Sequence, residues 1–140
     1  MSGADFIDSN VFVYLFDRRA DAKREIADSV VTRALTEGNA HVSHQVVQET
    51  LHVITSKITS PVSPDDAWRF FQQFMAPMWK LSPTPDLYRH GLAIQARYGF
   101  SFYDSLIVTA AIDAGCSQLL SEDFQHGQRI EGLTVHNPFL

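Results

Sequence analysis

A carboxylate stands near the start of the chain, where a predicted strand meets a predicted helix. The stretch FIDSNVFVYLFD, residues 6–17, runs from an apolar pair into Asp8, then into two short polar residues and an apolar block. This order is typical of a buried strand, a cap and a first helical turn. We expect Ser9 or Asn10 to cap that helix. Asp8 then lies at the carboxyl end of the strand, where open α/β sheets bind ligands, unless it merely caps the turn.

The rest of the chain alternates short apolar strands with amphipathic helices. Further helices are predicted over residues 20–38, 45–58, 64–77, 84–98 and 101–114. Further strands are predicted over residues 40–43, 78–81, 117–120 and 130–135. Pro77 is expected to end or kink the helix that contains it. The alternation favours an α/β fold with a central parallel sheet flanked by helices.

Length and charge limit the classes of protein that fit. The 140 residues suit one domain, residues 1–140. The formal net charge of -5 argues against a nucleic-acid partner held by a basic surface, unless acids hold metal ions. Cys116 stands alone, so no internal disulfide is expected. No signal peptide and no stretch long enough to span a membrane is recognised, so we expect a cytoplasmic protein without membrane association.

Three more acids stand at positions comparable to that of Asp8. Glu49 lies in the helix after the second strand, and Asp104 lies in the first turn of the most apolar helix. Asp123 follows the strand at 117–120, with Glu122 as a competing candidate. Each has an ordinary alternative role, as a surface acid, a stabiliser of the helix N-terminus or a turn residue.

Together these acids indicate a metal site. The carboxyl ends of parallel strands and the helix starts that follow them share one edge of the sheet, so the four acids are expected to converge. At an effective dielectric of about 20, two carboxylates about 4 Å apart repel by about 4 kcal/mol. No lysine follows Lys80 to supply counter-charge. A hard divalent cation, Mg²⁺ or Mn²⁺, suits such oxygen ligands, and two such ions support phosphodiester cleavage.

The motifs around these acids are similar to those of a known family. They are FIDSNVFVYLFD, VSHQVVQETLHV, SFYDSLIVTAA, LLSEDFQHG and the terminal NPF. Over nearly its whole length the chain resembles the PIN-domain ribonucleases, in particular the VapC-type toxins of bacterial toxin–antitoxin pairs. The resemblance implies a PIN-like three-layer sandwich and Mg²⁺-dependent cleavage of RNA. It implies metal-binding acids at Asp8, Glu49, Asp104 and Asp123, with polar neighbours at Asn10 and Ser121. At His44 the sequence departs from the small hydroxyl residue that the family pattern leads us to expect.

Basic and aromatic residues suggest partners. Arg18 and Arg19 follow the first motif and Arg97 precedes the third, so they are candidates for phosphate contacts, although such runs are more often solvated. The aromatic helix beginning at Pro64 is expected to pack in the core, or else to form a dimer face or a groove for an antitoxin helix. The expected partners are an RNA substrate, a cognate antitoxin and a second copy of the chain.

Three functions compete. The first is a metal-dependent endoribonuclease in which water attacks phosphorus in line and leaves 5′-phosphate and 3′-hydroxyl ends. The second is aspartyl phosphoryl transfer from Asp8, disfavoured because Asn10 replaces the usual second acid and no late lysine is present. The third is a non-catalytic PIN-like module that binds RNA or protein.

Overall fold

A central sheet of six strands organises residues 3–140, the part of the chain that the computed structural model describes. The strands lie in the order β3-β2-β1-β4-β6-β5. Their bounds are β1 Ala4–Ile7, β2 Ala40–Ser43, β3 Trp79–Leu81, β4 Cys116–Leu120, β5 Arg129–Ile130 and β6 Leu133–His136. Neighbouring strands run parallel, except that β5 pairs antiparallel with β6.

Six α-helices connect these strands in the described residues. They are α1 Ser9–Tyr14, α2 Asp21–Glu37, α3 His44–Ser56, α4 Pro64–Phe70, α5 Pro85–Tyr98 and α6 Phe102–Asp113. A π-helical turn and a 3-10 turn extend α4 to Met78. Pro77 lies in the 3-10 turn and β3 starts at Trp79, which confirms the predicted end of that helix.

Both faces of the sheet are covered. Phe6 and Ile7 are consecutive in β1 and fully buried, although neighbouring side chains of a strand point to opposite faces. Right-handed connections place α1 to α4 on one face and α5 and α6 on the other. This arrangement confirms the predicted α/β fold with a central, mostly parallel sheet between helices.

The stretch predicted as a single strand over residues 130–135 contains parts of two strands in the structure. The chain forms a hairpin over this stretch, in which β5 and β6 are joined by Glu131 and Gly132. Both residues have positive φ, 49° and 90°, so they turn the backbone through the left-handed region. Ile130 and Leu133 are three residues apart, so the apolar alternation of a single strand is interrupted at Glu131 and Gly132.

Helix length and hydropathy also bear on membrane association. Among residues 3–140, no helix is both long enough and apolar enough to cross a lipid bilayer.

Candidate active site

Asp8 joins the end of β1 to the start of α1. Its Oδ1 accepts a hydrogen bond from the Ser9 backbone N–H at 2.7 Å, so Asp8 itself is the N-cap of α1. The expected cap at Ser9 or Asn10 was wrong, because Asp8 precedes the first helical residue and its short side chain reaches the free N–H. The other oxygen, Oδ2, accepts from the Ser121 hydroxyl at 2.8 Å. The Asp8 carboxylate therefore both caps α1 and faces the site.

Asn10 and Ser121 connect Asp8 to Asp123. The Asn10 amide donates to Ser121 Oγ at 3.0 Å and to Asp123 Oδ2 at 3.1 Å. Ser121 Oγ also accepts from the Asp123 backbone N–H at 3.1 Å. These side chains come from the start of α1 and from the loop after β4, which lie side by side because β1 and β4 are paired. The two predicted polar neighbours thus lie between the first and the fourth acid.

Glu49 reaches the same edge of the sheet from α3. Its Oε2 accepts from the Ser9 hydroxyl at 3.0 Å, and its Oε1 accepts from Gln45 Nε2 at 2.9 Å. The Gln45 amide also donates to the backbone carbonyl of Tyr103 at 3.1 Å, which ties α3 to the start of α6. Glu49 is half-buried, so it is not a plain surface acid.

Asp104 lies in the first turn of α6, where Ser101 caps the helix by accepting from the Asp104 N–H at 3.1 Å. Burial raises the pKa of the Asp104 carboxyl, the hydrogen bond from Ser101 opposes the rise, and the nearby Asp123 carboxylate adds to it. The Asp104 carboxyl therefore interacts electrostatically with the Asp123 carboxylate. The Tyr103 carbonyl, one residue before Asp104, accepts from the Gln45 amide that also donates to Glu49, so the start of α6 lies at the same edge of the sheet as Glu49.

A family comparison agrees with this fold. The family model of the PIN domain matches residues 6–129, which contain all four acids. The chain belongs to the PIN-domain family. No curated protein matches its sequence.

Solved structures share the fold of this PIN domain at low sequence identity. A toxin–antitoxin complex from Klebsiella pneumoniae is 15% identical, with a TM-score of 0.68 over 96% of this chain and 98% of that one. The VapC20 toxin of Mycobacterium tuberculosis, which cleaves the sarcin–ricin loop, is 16% identical, with a TM-score of 0.61 over 86% and 92%. The VapBC2 complex of Rickettsia felis, bound to a promoter DNA fragment, is 16% identical, with a TM-score of 0.65 over 96% and 98%. At these identities the likeness concerns the fold.

The charge state of Asp8 reflects its surroundings. Burial raises the pKa of the Asp8 carboxyl to about 7, and the carboxylates of Asp123 and Glu49 add to the rise. Hydrogen bonds from Ser121 and Ser9 oppose it. Near neutral pH the Asp8 carboxyl of the PIN domain is therefore only partly ionised.

The acids of this PIN domain do not form a closed cage. Among residues 3–140, no three acidic, histidine or cysteine side chains stand close enough together to ligate one ion by themselves. The donors that do meet are carboxylate oxygens, which match the preference of Mg²⁺ and Mn²⁺. Mg²⁺ usually keeps several waters and takes only one or two carboxylates directly, so an open set of acids fits such an ion.

Glu122 and Asp123, the two candidates for the fourth acid, have different partners. Glu122 accepts from the Tyr14 hydroxyl at 2.5 Å and from Lys23 Nζ at 3.1 Å. The Lys23 ammonium also lies over the Tyr14 ring, 4.9 Å from its centroid. Asp123 instead accepts from Asn10 and faces the other acids. This pairing of Lys23 with Glu122 escaped the sequence analysis, because 99 residues separate the two.

Within residues 3–140, no ion pair joins the three candidate arginines to the four carboxylates. Arg18 and Arg19 border a small cleft with residues 58–60, beyond the C-terminal end of α3. The start of α3 lies about 20 Å away, at 1.5 Å per residue. Arg19 pairs with Asp17 at 3.4 Å. Arg97 is exposed, with its guanidinium 5.3 Å from the Tyr98 ring centroid. As placed, none of the three contacts the acids.

Two neighbouring residues begin α3 near the cluster, and Gln45 contacts Glu49 directly. Gln45 lies four residues before Glu49, a spacing that brings two side chains together on a helix and was the available signal. His44, the departure from the family pattern, is the first residue of α3, and burial lowers the pKa of its imidazole. A neutral histidine there adds no positive charge that would oppose a bound cation.

Proposed function

We propose that this PIN domain is a Mg²⁺-dependent endoribonuclease that hydrolyses RNA phosphodiester bonds in the cytoplasm, as the toxin of a type II toxin–antitoxin module. The observation that carries the proposal is the meeting of four acids from separate parts of the chain at one edge of the sheet. Hydrogen bonds connect Asp8 and Asp123 through Asn10 and Ser121, and charge interactions link Asp123 to Asp104 and Glu49 to Asp8.

The four acids would hold the metal. Asp8, Asp104 and Asp123 would contact the ion directly or through water, with Glu49 at the border of the site. A bound Mg²⁺ or Mn²⁺ supplies positive charge for the phosphate oxygens and a water of lowered pKa. The raised pKa values of Asp8 and Asp104 support this assignment, because burial and, to a smaller extent, neighbouring carboxylates disfavour the ionised forms and a bound cation would favour them.

The protein's own groups would orient the reaction. The Asn10 amide holds Asp123 and Ser121, and the Ser121 hydroxyl holds Asp8, so the carboxylates keep fixed directions. Water attacks phosphorus in line with the departing 3′ oxygen, which leaves 5′-phosphate and 3′-hydroxyl ends. Asp104 is only half-buried and has a raised pKa, so it is placed to take the proton from that water.

Cleavage of RNA by the purified chain tests this proposal. We expect Mn²⁺ or Mg²⁺ to support cleavage and EDTA to stop it. Asp104→Asn is expected to lower the cleavage rate by at least about 100-fold, the range for a lost acid–base group. Asp65→Asn, at an exposed acid of the α4 first turn, is the matched control and is expected to match the unmodified chain. Chelator-resistant cleavage, or full activity of Asp104→Asn, would contradict the proposal.

Two apolar clefts support the toxin assignment. The first, about 510 Å³, lies between α1, α2 and α4 and is lined by Leu15, Phe16, Val31, Phe70 and Phe74 with charged residues at its border. An amphipathic helix fits such a groove, so we assign it to a cognate antitoxin. The second, about 500 Å³, contains Trp68 and Trp79, and we assign it to a homodimer contact.

The alternative function is a non-catalytic PIN-like module that binds RNA or protein. It predicts RNA or partner binding without turnover in any metal. The ordered donors around Asp8 favour the enzyme, because a simple binding surface has no need to bury a carboxylate beside two others.

A further inference from the structure

Tyr103 exposes a large aromatic ring beside the acid cluster. Its side chain is 67% exposed, although it directly precedes Asp104 at the start of the most apolar helix. From Ser105 to Ala111 the residues of α6 are buried, so the ring stands outside the core that its helix serves. Core packing therefore does not account for an aromatic residue at this position.

The backbone that carries this ring is held firmly. The Tyr103 carbonyl accepts from Gln45 Nε2, and the same amide donates to Glu49. The Tyr103 ring packs edge-on against Phe102, with centroids 5.4 Å apart and planes at 71°. Asp104 is the next residue along the chain, and Glu49 accepts from the same Gln45 amide as the Tyr103 carbonyl. The backbone of Tyr103 therefore has a defined place beside the site.

Few positive charges at the site are available to bind the RNA backbone, so another kind of contact has to hold the RNA there. The chain carries a net charge of -5, Arg18 and Arg19 lie beyond the C-terminal end of α3, and Lys23 is paired with Glu122. Phosphate contacts usually dominate binding of nucleic acids, and these residues leave few positive charges for them at the site. Aromatic stacking on a base is insensitive to charge and accepts every base.

We propose that Tyr103 is a stacking platform for an unpaired RNA base next to the bond that is cleaved. This inference rests on the proposed nuclease function and assigns to it a residue that contacts the substrate. In a duplex both faces of a base are covered by its neighbours, whereas a base in a loop, bulge or single strand can lie on a protein ring. The proposal therefore concerns a nucleotide whose base is free to lie on the Tyr103 ring.

Binding of a single-stranded RNA oligonucleotide in EDTA tests the proposal without cleavage. Each probe carries the fluorescent base 2-aminopurine at a different position. Stacking on the ring is then detected as quenching of the 2-aminopurine fluorescence at one of these positions. Tyr103→Ala is expected to weaken binding by about 5- to 150-fold and to remove the quenching. Tyr103→Phe keeps the ring and is expected to bind within about 2-fold of the unmodified chain.

Two comparisons separate stacking from a general defect. Tyr88→Ala removes another exposed tyrosine, 41% exposed on α5, and is expected to bind RNA normally. The dependence of binding on salt is expected to be the same for Tyr103→Ala as for the unmodified chain, because no phosphate contact is lost. A loss in Tyr103→Phe equal to that in Tyr103→Ala would overturn the proposal, as would equal binding by Tyr103→Ala and Tyr88→Ala.

The outcomes also distinguish the two proposals. Quenching by the unmodified chain without cleavage in Mn²⁺ would sustain the platform and refute the nuclease. Metal-dependent cleavage that Tyr103→Ala leaves unchanged would sustain the nuclease and refute the platform. If Tyr103→Ala loses a protein partner or a second copy while RNA binding is normal, the ring is a protein contact and the proposal is refuted.

Discussion

The Asp8 carboxyl group caps a helix, accepts from a serine and faces two other acids. Its oxygens receive hydrogen bonds at 2.7 and 2.8 Å from Ser9 and Ser121. These bonds are too few to offset its burial, and so its pKa rises to about 7. At the scale of single residues, burial opposes the ionisation of two acids of the site, Asp8 and Asp104. Residues of this kind are common at functional sites.

Replacing Asp8 tests this account of its ionisation. A raised folded pKa means that the native state holds a proton that the unfolded state loses above about pH 4, so stability falls as pH rises from about 4 to 7. Asp8→Asn removes this titration. We expect its free energy of unfolding in EDTA to vary less with pH by about 4 kcal/mol, which corresponds to a rise in pKa of about three units.

Urea unfolding of both proteins at pH 4, 6 and 8 measures the difference. We expect the mutant to gain most, relative to the unmodified chain, at pH 8, and added Mg²⁺ to stabilise only the unmodified chain. Parallel pH profiles for the two proteins would show that the Asp8 carboxyl does not titrate in this range.

At the scale of elements, His90 of α5 contacts one acid of α6 and one acid of the β5–β6 hairpin. His90 Nδ1 lies 2.9 Å from Asp113, and its Nε2 lies 3.4 Å from Glu131. Burial lowers the pKa of His90, but hydrogen bonds to the two carboxylates outweigh it and the net pKa is raised. The protonated imidazole therefore links three elements far from the acid cluster.

The raised pKa of His90 makes the stability of the protein depend on pH, which gives a second test. A raised histidine pKa contributes stability that is present in full below the unfolded value near 6.5 and is lost as pH rises through the folded value. His90→Gln is expected to lose stability relative to the unmodified chain at pH 5.5, by less than about 1 kcal/mol because the partners are partly exposed.

Thermal unfolding at pH 5.5 and pH 8.5 provides the measurement. The difference between His90→Gln and the unmodified chain is expected to shrink at the higher pH. His52→Gln, at an exposed histidine of α3, serves as the control. An effect of His90→Gln that is the same at both pH values would mean that charge is not the cause.

At the scale of the whole molecule, apolar surface remains without a partner in the described residues. Trp68 is 58% exposed and lines the second cleft together with Val47, Leu51 and Phe71. Its ring stacks on Phe71, with centroids 5.4 Å apart. An exposed patch of this kind is typical of an interaction site.

A dimer through this cleft predicts a change in mass. We expect the unmodified chain to sediment as a dimer and Trp68→Ser to dissociate at a concentration at least about 10-fold higher, as for a central interface aromatic. Leu92→Ser, at an apolar residue of α5 that is 53% exposed, is the control and is expected to leave the mass unchanged. A monomeric unmodified chain, or an undisturbed Trp68→Ser dimer, would contradict the assignment.

Much of this protein follows from its sequence alone. Apolar periodicity, helix caps and glycine stops encode local geometry, so the order of strands and helices was predictable, as were the positions of Asp8 and Asp104 at strand ends and helix starts. The motifs around the four acids also identified the family, which the match over residues 6–129 confirms.

Only the tertiary structure decided which groups meet. Asn10 and Ser121 are 111 residues apart, and their contact depends on β1 and β4 lying side by side in the sheet. The same pairing of elements turns Glu122 toward Lys23 and leaves Arg18 beyond the end of α3. Sheet order depends on how helices pack across the strands, and no local pattern of residues carries that information.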